Sequence, residues 1–376
     1  MKLSIGVLLL FVSTLGANVD ATTIRYVPDA NGDGAGAVVG TDKPLLHTPQ
    51  AFGADAGAAL AALEEILKQG GADIRDAVRL NVVATTQAAA DIARETIRRR
   101  FPQGQRPPVS YVVGVLPFAD AQVAIDGVAF AGSRVAAARP TPGVLLPGPR
   151  VYISGQAEKG GLPAEAAAKT IASLKKTLEF MGATGDDVVQ AKCFLTPMSA
   201  AADVGKEFDK VFGVGVPLVF VEWKSDLPIE IELIAAAAPA KPDAPAVEYL
   251  TPPGVKASPL FARVVRINRG EIIYTAGLHA EKSGTGEQQV RSTFDQLQRV
   301  LKQTGGNLRH LAKATYYVSD DDASRQLNAL RPKFYDPQRP PAASKAMVPG
   351  VGMQDRSIAI DMIGIVAPTT ATAPAQ

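Results

Sequence analysis

Three stretches of the chain carry apolar residues at helical spacing, with charged residues on the opposite side. They read AGAALAALEEILKQ at 56–69, AEAAAKTIASLKKTLEFM at 164–181 and EQQVRSTFDQLQRVLKQ at 287–303. Apolar residues at i, i+3, i+4 and i+7 form one stripe along a helix, so each stretch predicts an amphipathic helix packed on a sheet. Gly71, Gly182 and Gly305 follow these stretches and suit the ends of the helices.

The same order of elements recurs around each of these helices. An opening apolar strand precedes it, and an apolar strand, a second helix, a strand led by proline and a closing strand follow it. The opening strands read PLLHTPQ (44–50), VYISGQ (151–156) and IIYTAG (272–277); the closing strands read QVAIDGVAFAG (122–132), IEIELIAAAAP (229–239) and SIAIDMIGIVA (357–367). Copies about 110–120 residues apart are domain-sized, so the pattern predicts three similar α+β domains, each with one sheet and two helices.

Proline-rich segments at 138–150 and 239–254 lie near the joins of the copies. We therefore predict domains at 22–132, 133–240 and 241–367, followed by a disordered low-complexity tail at 368–376. Residues 1–21 combine Lys2, a short apolar run and small residues before a cleavage point, which predicts a signal peptide. An uncleaved membrane anchor is the alternative. The expectation is an exported protein, periplasmic or secreted, with no membrane attachment after cleavage.

Composition narrows the chemistry. The net charge of +2 gives no overall case for a nucleic-acid partner, and the sole cysteine, Cys193, excludes an intrachain disulfide and a cysteine-based metal cluster. His47, His279 and His310 have no metal-like mutual spacing, so we predict neither a metal nor a cofactor. The sequence also contains a local basic cluster, which is either a solvated helix face or a surface for an anion or RNA. Its members are Arg94, Arg98, Arg99, Arg100 and Arg106.

Copies two and three resemble the Rid family, the reactive-intermediate deaminases also known as YjgF or L-PSP endoribonuclease-like proteins. The phrases that carry the resemblance are VYISGQ, GATGDDVVQAKCFL and IEIELIA in copy two, and YTAG, LNALRPKFY, RPPAAS and IAIDMIG in copy three. Copy one is more divergent. The resemblance implies a chorismate-mutase-like fold and a trimer with a closed central β-barrel, helices outside and ligand clefts between subunits. Here the three copies would form that trimer within one chain, as a monomer or a weak higher oligomer.

The resemblance also implies that active deaminases bind the substrate carboxylate with an arginine two residues after the proline of the proline-led strand. A guanidinium matches a carboxylate with two parallel hydrogen bonds. Val109, Val219 and Ala343 occupy these positions here, and none can hold an anion. The family's 2-imino-acid deamination is therefore not expected at any cleft unless another residue replaces the arginine.

Other family positions are only partly present. The closing-strand acids are Asp126, Glu232 and Asp361; the resemblance implies that such an acid activates water, while a paired or solvated strand acid is the alternative. Side chains alternate along a strand, so Lys345 shares a face with Ala343 and could supply a positive charge, unless it is an ordinary exposed lysine. The residues predicted to line ligand clefts are Ser154, Gly155, Val219, Phe261, Gly277, Asn328 and Ala343.

Two functions follow from these residues. The first is hydrolysis of an imine or enamine, with Glu232, Asp361 and Lys345 as candidate catalytic residues. The second is non-catalytic binding of a small metabolite, or a scaffold role, in clefts that diverged after fusion. RNA cleavage is a third possibility that rests only on the family label and the arginine cluster.

Overall fold

The computed structural model describes residues 24–132 and 142–366, which we divide into a first segment (24–132), a second (142–240) and a third (241–366). Each segment contains two helices. The helices are α1 (Ala56–Gln69), α2 (Gln87–Arg100), α3 (Pro163–Phe180), α4 (Ala201–Phe212), α5 (Gly286–Thr304) and α6 (Asp321–Phe334). The three predicted amphipathic helices are therefore confirmed as α1, α3 and α5, with their apolar stripes buried.

The strands form three sheets in which the same core recurs. They are β1 (Ile24–Pro28), β2 (Gly34–Gly40), β3 (Leu45–His47), β4 (Ala51–Gly53), β5 (Ala72–Ala84), β6 (Val109–Val113), β7 (Val123–Ala131), β8 (Val144–Leu145), β9 (Arg150–Gln156), β10 (Val188–Leu195), β11 (Leu218–Glu222), β12 (Ile229–Ala236), β13 (Val247–Leu250), β14 (Val264–Ile267), β15 (Glu271–Thr275), β16 (Leu278–His279), β17 (Leu311–Val318), β18 (Ala342–Met347) and β19 (Ile358–Ile365). The sheet orders are β6-β5-β7-β3-β8, β11-β10-β12-β9-β14-β13 and β1-β2-β15-β19-β17-β18, with β4 and β16 paired to the closing strands β7 and β19. The predicted closing strands are confirmed as β7, β12 and β19.

In each sheet the strand after the first helix pairs parallel with the proline-led strand and antiparallel with the closing strand. The two helices of the segment cover one face of this sheet. In the third segment, for example, Phe294 and Leu297 of α5 and Leu327 of α6 pack with Tyr316 of β17 and Ile360 of β19. Each segment thus buries its own helix–sheet core.

The sheets cross the predicted domain boundaries. The β8 strand of the second segment pairs with β3 of the first, and β14 of the third pairs with β9 of the second. The β2 strand of the first segment pairs with β15 of the third. Each segment therefore lends an early strand to the sheet of another segment, and the exchange closes in a ring.

The faces that the helices leave free pack against one another. One apolar cluster joins Leu45, Tyr152 and Tyr274, and a second joins Val112, Phe194 and Tyr317, each with one residue from every segment. The predicted closed barrel is not formed in the described residues: the strands make three separate open sheets. The sheets meet through side chains and single bridges such as Ala262 to Ala342, so no continuous ladder joins them.

The predicted signal peptide at 1–21, the start of the second predicted domain at 133 and the tail at 368–376 lie outside the described residues. Within the described ranges, no helix combines the length and the apolar character that crossing a membrane requires.

Candidate functional site between the second and third segments

The predicted closing-strand acids are buried in the region where the three sheets meet, which we call the axis. Asp361 forms an ion pair with Arg79 at 2.5 Å, and Glu232 forms one with Lys313 at 2.7 Å; all four side chains are buried. In both pairs the acid and the cation come from different segments. These ion pairs favour the alternative of paired strand acids over the catalytic role predicted for Glu232 and Asp361, because both acids neutralise buried cations where the three sheets meet.

The electrostatics of these two ion pairs agree with a structural role. Burial alone would raise the pKa of Asp361, but Arg79, Lys192 and Lys313 outweigh it and hold this pKa below its usual value. Burial lowers the pKa of Lys313, and Glu232 opposes that shift. An ionised acid surrounded by fixed cations has little tendency to exchange protons with a substrate.

A different acid of the closing strand lies at the contact between the second and third segments. Glu230 is two residues before Glu232 and partly buried beside Gly155. A side chain on residue 155 would place its first carbon 2.0 Å from Glu230 Oε1 and 2.6 Å from Ser344 Oγ. Only glycine at this position leaves room for the carboxyl group and the hydroxyl from the neighbouring segment to approach each other.

Glu230 has the pKa of a group that exchanges protons near neutral pH. Burial raises it from 4.5 to about 7, with a further increase from Glu232, while Ser344 and Lys345 act in the opposite direction. The buried hydroxyl of Ser154 has no hydrogen-bond partner within the described part of the chain. Desolvation, a nearby charge and an unpaired polar atom together are typical of a functional site.

Lys345 supplies the positive charge at this contact around Gly155, Glu230 and Ser344, which we call the second–third cleft. Its Nζ donates to Ser324 Oγ at 2.9 Å, and its pKa is lowered by burial and by the nearby Arg331, with Glu230 opposing the shift. Ala343 is buried on the same strand, and Phe261 lies under the guanidinium of Arg263 at 4.9 Å from ring centre to Cζ.

The second–third cleft therefore brings together Ser154, Gly155, Ala343 and Lys345. Phe261 of the third segment lies beside them. It does not bring in the other predicted residues. Asn328 is exposed on α6, and Gly277 packs on Ser110 of the first segment. Gly277, Asn328 and Lys345 therefore do not share one site, because the ring of segments places each opening phrase against a different neighbour.

The cleft between the first and second segments is filled by a side chain. The Gln50 amide donates to Phe220 O at 3.0 Å and accepts from Phe220 N at 2.9 Å. Val219, predicted to line a ligand cleft, is buried in this contact. Both hydrogen-bonding groups of the Phe220 backbone are thereby satisfied from inside the protein.

Glu230 was not among the predicted site residues, although the sequence contains a signal for it. The phrase IEIELIA offers acids at 230 and 232, whereas the matching strands have Ala124 and Ala359 at the earlier position. An acid present in only one of the three matching strands indicates a role that the other two strands do not share. Within the described ranges, no group of three or more His, Cys, Asp or Glu side chains is arranged to hold a metal ion.

Comparisons with known proteins agree with part of this picture. Residues 255–366 match the family model described as Endoribonuclease L-PSP. No curated protein matches the chain.

Several solved structures overlap with about a quarter to a third of the chain. A YjgF-family protein from Neisseria meningitidis is 19% identical over 32% of this chain and 93% of its own, with a TM-score of 0.24. A protein of the conserved Rid family from Yersinia pestis is 21% identical over 25% of this chain and 80% of its own, with a TM-score of 0.24. Escherichia coli TdcF with bound serine is 18% identical over 25% of this chain and 80% of its own, with a TM-score of 0.23.

The matched range contains α5, α6 and the strands β14 to β19, and with them Phe261, Ala343 and Lys345 of the second–third cleft. Residues 255–366 thus match the Endoribonuclease L-PSP family, to which the YjgF and Rid resemblance of the sequence also pointed.

Proposed function

We propose that the chain is a tandem Rid-like protein that hydrolyses imines or enamines at the second–third cleft. The observation that carries the proposal is Glu230, an acid with a pKa of about 7 placed between Gly155 of its own segment and Ser344 and Lys345 of the next. A group with this pKa is half ionised at neutral pH, so it can both accept and donate a proton there.

The proposed reaction uses Glu230 twice. Its carboxylate takes a proton from water while the water oxygen adds to the imine carbon, and the C=N double bond becomes a single bond. The carboxylic acid then returns the proton to nitrogen. Glu230 then removes the hydroxyl proton of this carbinolamine and passes it to the amino nitrogen, so that the C–N bond breaks, a C=O bond forms, and ammonia and a carbonyl compound leave.

Lys345 sets the expected substrate class. An ammonium group binds a carboxylate as a point charge and without the two parallel hydrogen bonds of a guanidinium, so the cleft would accept an anionic imine with reduced selectivity. Arg331 lies close enough to repel the Lys345 charge, and its own positive charge also favours an anion there.

Three tandem copies that form a pseudo-trimer within one chain are part of this proposal. The recurring sheet core and the ring of exchanged strands support it. We also propose that the protein is exported to the periplasm or secreted, that it acts on a small molecule as a monomer, and that it needs no nucleic-acid or membrane partner.

The test is turnover of freshly generated 2-iminopropionate and of a neutral imine by the chain from residue 22, by Lys345→Met and by Lys175→Met. Lys175 is an exposed lysine of α3 and serves as the matched control. We expect the Lys345 change to reduce turnover of the anionic imine about tenfold or more and to leave the neutral imine nearly unaffected. Equal effects of both lysine changes would contradict the role of Lys345, and no turnover by the unaltered chain would contradict hydrolysis.

A specific observation favours non-catalytic binding as the second candidate function. All three family arginine positions are apolar, and the Gln50 side chain closes the cleft between the first and second segments. Binding of imine analogues without any turnover would favour this candidate.

A further inference from the structure

A small cavity of about 20 Å³ lies at the axis, apart from the cleft that contains Glu230. All three segments contribute to its lining. The polar residues that matter for its chemistry are His47, Arg79, Lys192, Glu232, Tyr274 and Lys313, and all six are buried. A cavity needs about 10–15 Å³ to hold one water molecule, so this axis cavity has room for a single particle of that size. Organic substrates such as imines are too large for it.

The strands around the axis cavity are equivalent in the three segments, but their side chains are not. Each closing-strand acid pairs across its sheet with one residue of the strand that follows the first helix. These residues are Asn81, Lys192 and Thr315. Two residues earlier, the same strands carry Arg79, Gln190 and Lys313. Identical subunits around an axis would repeat one side chain three times at each position, so this combination of cations and neutral groups is particular to this chain.

The buried charges of the axis do not cancel. The described chain buries four cations and three acids there, namely Arg79, Arg150, Lys192 and Lys313, and Asp126, Glu232 and Asp361. Two of the cations form ion pairs with two of the acids, Glu232 and Asp361. The four cations and three acids leave an excess of one positive charge. A buried charge without a counter-charge is costly, so an anion in this region would stabilise the fold.

Lys192 is a buried cation with little direct compensation. Its Nζ donates to the Tyr317 hydroxyl at 3.3 Å, and no carboxylate forms an ion pair with it within the described ranges. An ammonium group has three N–H donors, so two remain for another acceptor. Burial alone would lower the pKa of Lys192, but the neighbouring Tyr317, Asp361 and Glu232 outweigh burial and raise this pKa. Lys192 is therefore charged at neutral pH.

Other donors of the lining also lack an acceptor in the protein. Arg79 Nε, the Tyr274 hydroxyl and both ring nitrogens of His47 have no hydrogen-bond partner among the described residues. Burial lowers the pKa of His47 to about 3, and the charge of Arg150 adds to this shift. The imidazole is therefore neutral and has one N–H to donate. A monatomic anion accepts hydrogen bonds from several such donors at once, whereas a water molecule must also place its own protons.

We propose that the axis cavity binds one halide ion, with Lys192, Arg79 and His47 as its donors. The size of the cavity, the excess positive charge and the unpaired donors all favour this ligand. Glu232 is the acid of the lining and opposes an anion, although its Oε1 is already bound to Lys313 at 2.7 Å. Its Oε2 has no partner in the described structure, so a water molecule held by Glu232 is the competing occupant.

The first test is crystallographic. Bromide replaces chloride at halide sites and scatters anomalously at its absorption edge, whereas water does not. We expect crystals of the unaltered chain grown in sodium bromide to show an anomalous peak in the axis cavity, within hydrogen-bonding distance of Lys192 Nζ. Density in the cavity without an anomalous signal would identify water and overturn the proposal, as would a cavity without density.

The second test measures stability in solution by urea denaturation at constant ionic strength, with sodium gluconate exchanged for sodium chloride. Above the dissociation constant of a single site, each tenfold rise in chloride should lower the unfolding equilibrium constant about tenfold. We expect Lys192→Met to lose this dependence and Lys175→Met to keep it. Lys175 is the matched control because it is an exposed lysine of the same segment.

Equal chloride dependence of the two lysine variants would overturn the proposal, and so would stability of the unaltered chain that is independent of chloride. The bromide experiment needs no variant, so it decides the matter even if Lys192→Met does not fold. Neither measurement involves turnover. Their results are therefore independent of imine hydrolysis at the second–third cleft.

Discussion

At the residue scale, two glutamates of β12 lie in different electrostatic environments. Glu232 is buried against Lys313 at 2.7 Å and is neutralised, whereas Glu230 is desolvated beside Gly155 without a close cation to offset its burial fully. A paired buried acid stays ionised, and a desolvated acid with weak compensation retains its proton to higher pH. Only the second kind can act as an acid and a base near neutral pH.

The raised pKa of Glu230 predicts a pH-dependent effect on stability. In the unfolded chain the carboxyl loses its proton near 4.5, but in the folded chain it does so near 7, so rising pH between these values favours unfolding. We expect Glu230→Gln to gain up to about 3 kcal/mol of stability relative to the unaltered chain between pH 4.5 and pH 8, and no more above it. Urea denaturation at a series of pH values measures this difference.

Glu165→Gln serves as the control, because Glu165 is an exposed acid of α3 in the same segment. The hydrogen bond from Lys169 lowers the pKa of Glu165, so the stability difference of Glu165→Gln should not grow between pH 6 and pH 8. A difference for Glu230→Gln that is constant with pH would mean that Glu230 titrates normally.

At the element scale, the exchanged strands hold the segments together. After β12 the chain passes through exposed residues and then adds β13 and β14 to the sheet of the second segment, while β2 is part of the sheet of the third. Neither sheet is complete without a strand from elsewhere in the chain. Each exchanged strand contributes backbone hydrogen bonds and a row of buried side chains such as Val265 and Ile267.

This exchange predicts that the two fragments stay associated after the chain is cleaved between the second and third segments. A protease site inserted between Ala240 and Lys241, in the exposed connection, should yield two fragments that elute together as one particle. Size-exclusion chromatography before and after cleavage measures this, with the uncut insertion variant as the control. Fragments that separate without denaturant would contradict a structural role for the exchanged strands.

The sequence predicted the elements of the fold well and their exchange poorly. The apolar period of α1, α3 and α5 and the runs of β7, β12 and β19 are local properties, and they fix each helix–sheet unit. The partner of an opening strand depends on which segment lies beside it, and no local pattern in VYISGQ specifies this. The acids show the same limit: residues 230 and 232 share one face of a strand by periodicity, and only the packing of the sheets decides which one meets the axis.

At the scale of the whole molecule, the ion pairs of the axis join the segments, whereas the three contacts between segments differ from one another. The ion pairs of Asp361 with Arg79 and of Glu232 with Lys313 each join two segments. Removing one partner of a buried pair costs about 3–5 kcal/mol, so these pairs disfavour a wrong arrangement of the segments. The three contacts between segments differ in their side chains: one is filled by Gln50, one is lined by Arg94, and one contains Glu230.

We propose that the second–third cleft hydrolyses imines through Glu230. The most direct test is the rate of imine hydrolysis by the unaltered chain, by Glu230→Gln and by Glu165→Gln under identical conditions at pH 7. We predict that Glu230→Gln lowers kcat about a hundredfold or more, the contribution of a general acid–base group, and that Glu165→Gln matches the unaltered chain. Undiminished hydrolysis by a folded Glu230→Gln chain would contradict the role of Glu230 as the acid–base group of the second–third cleft.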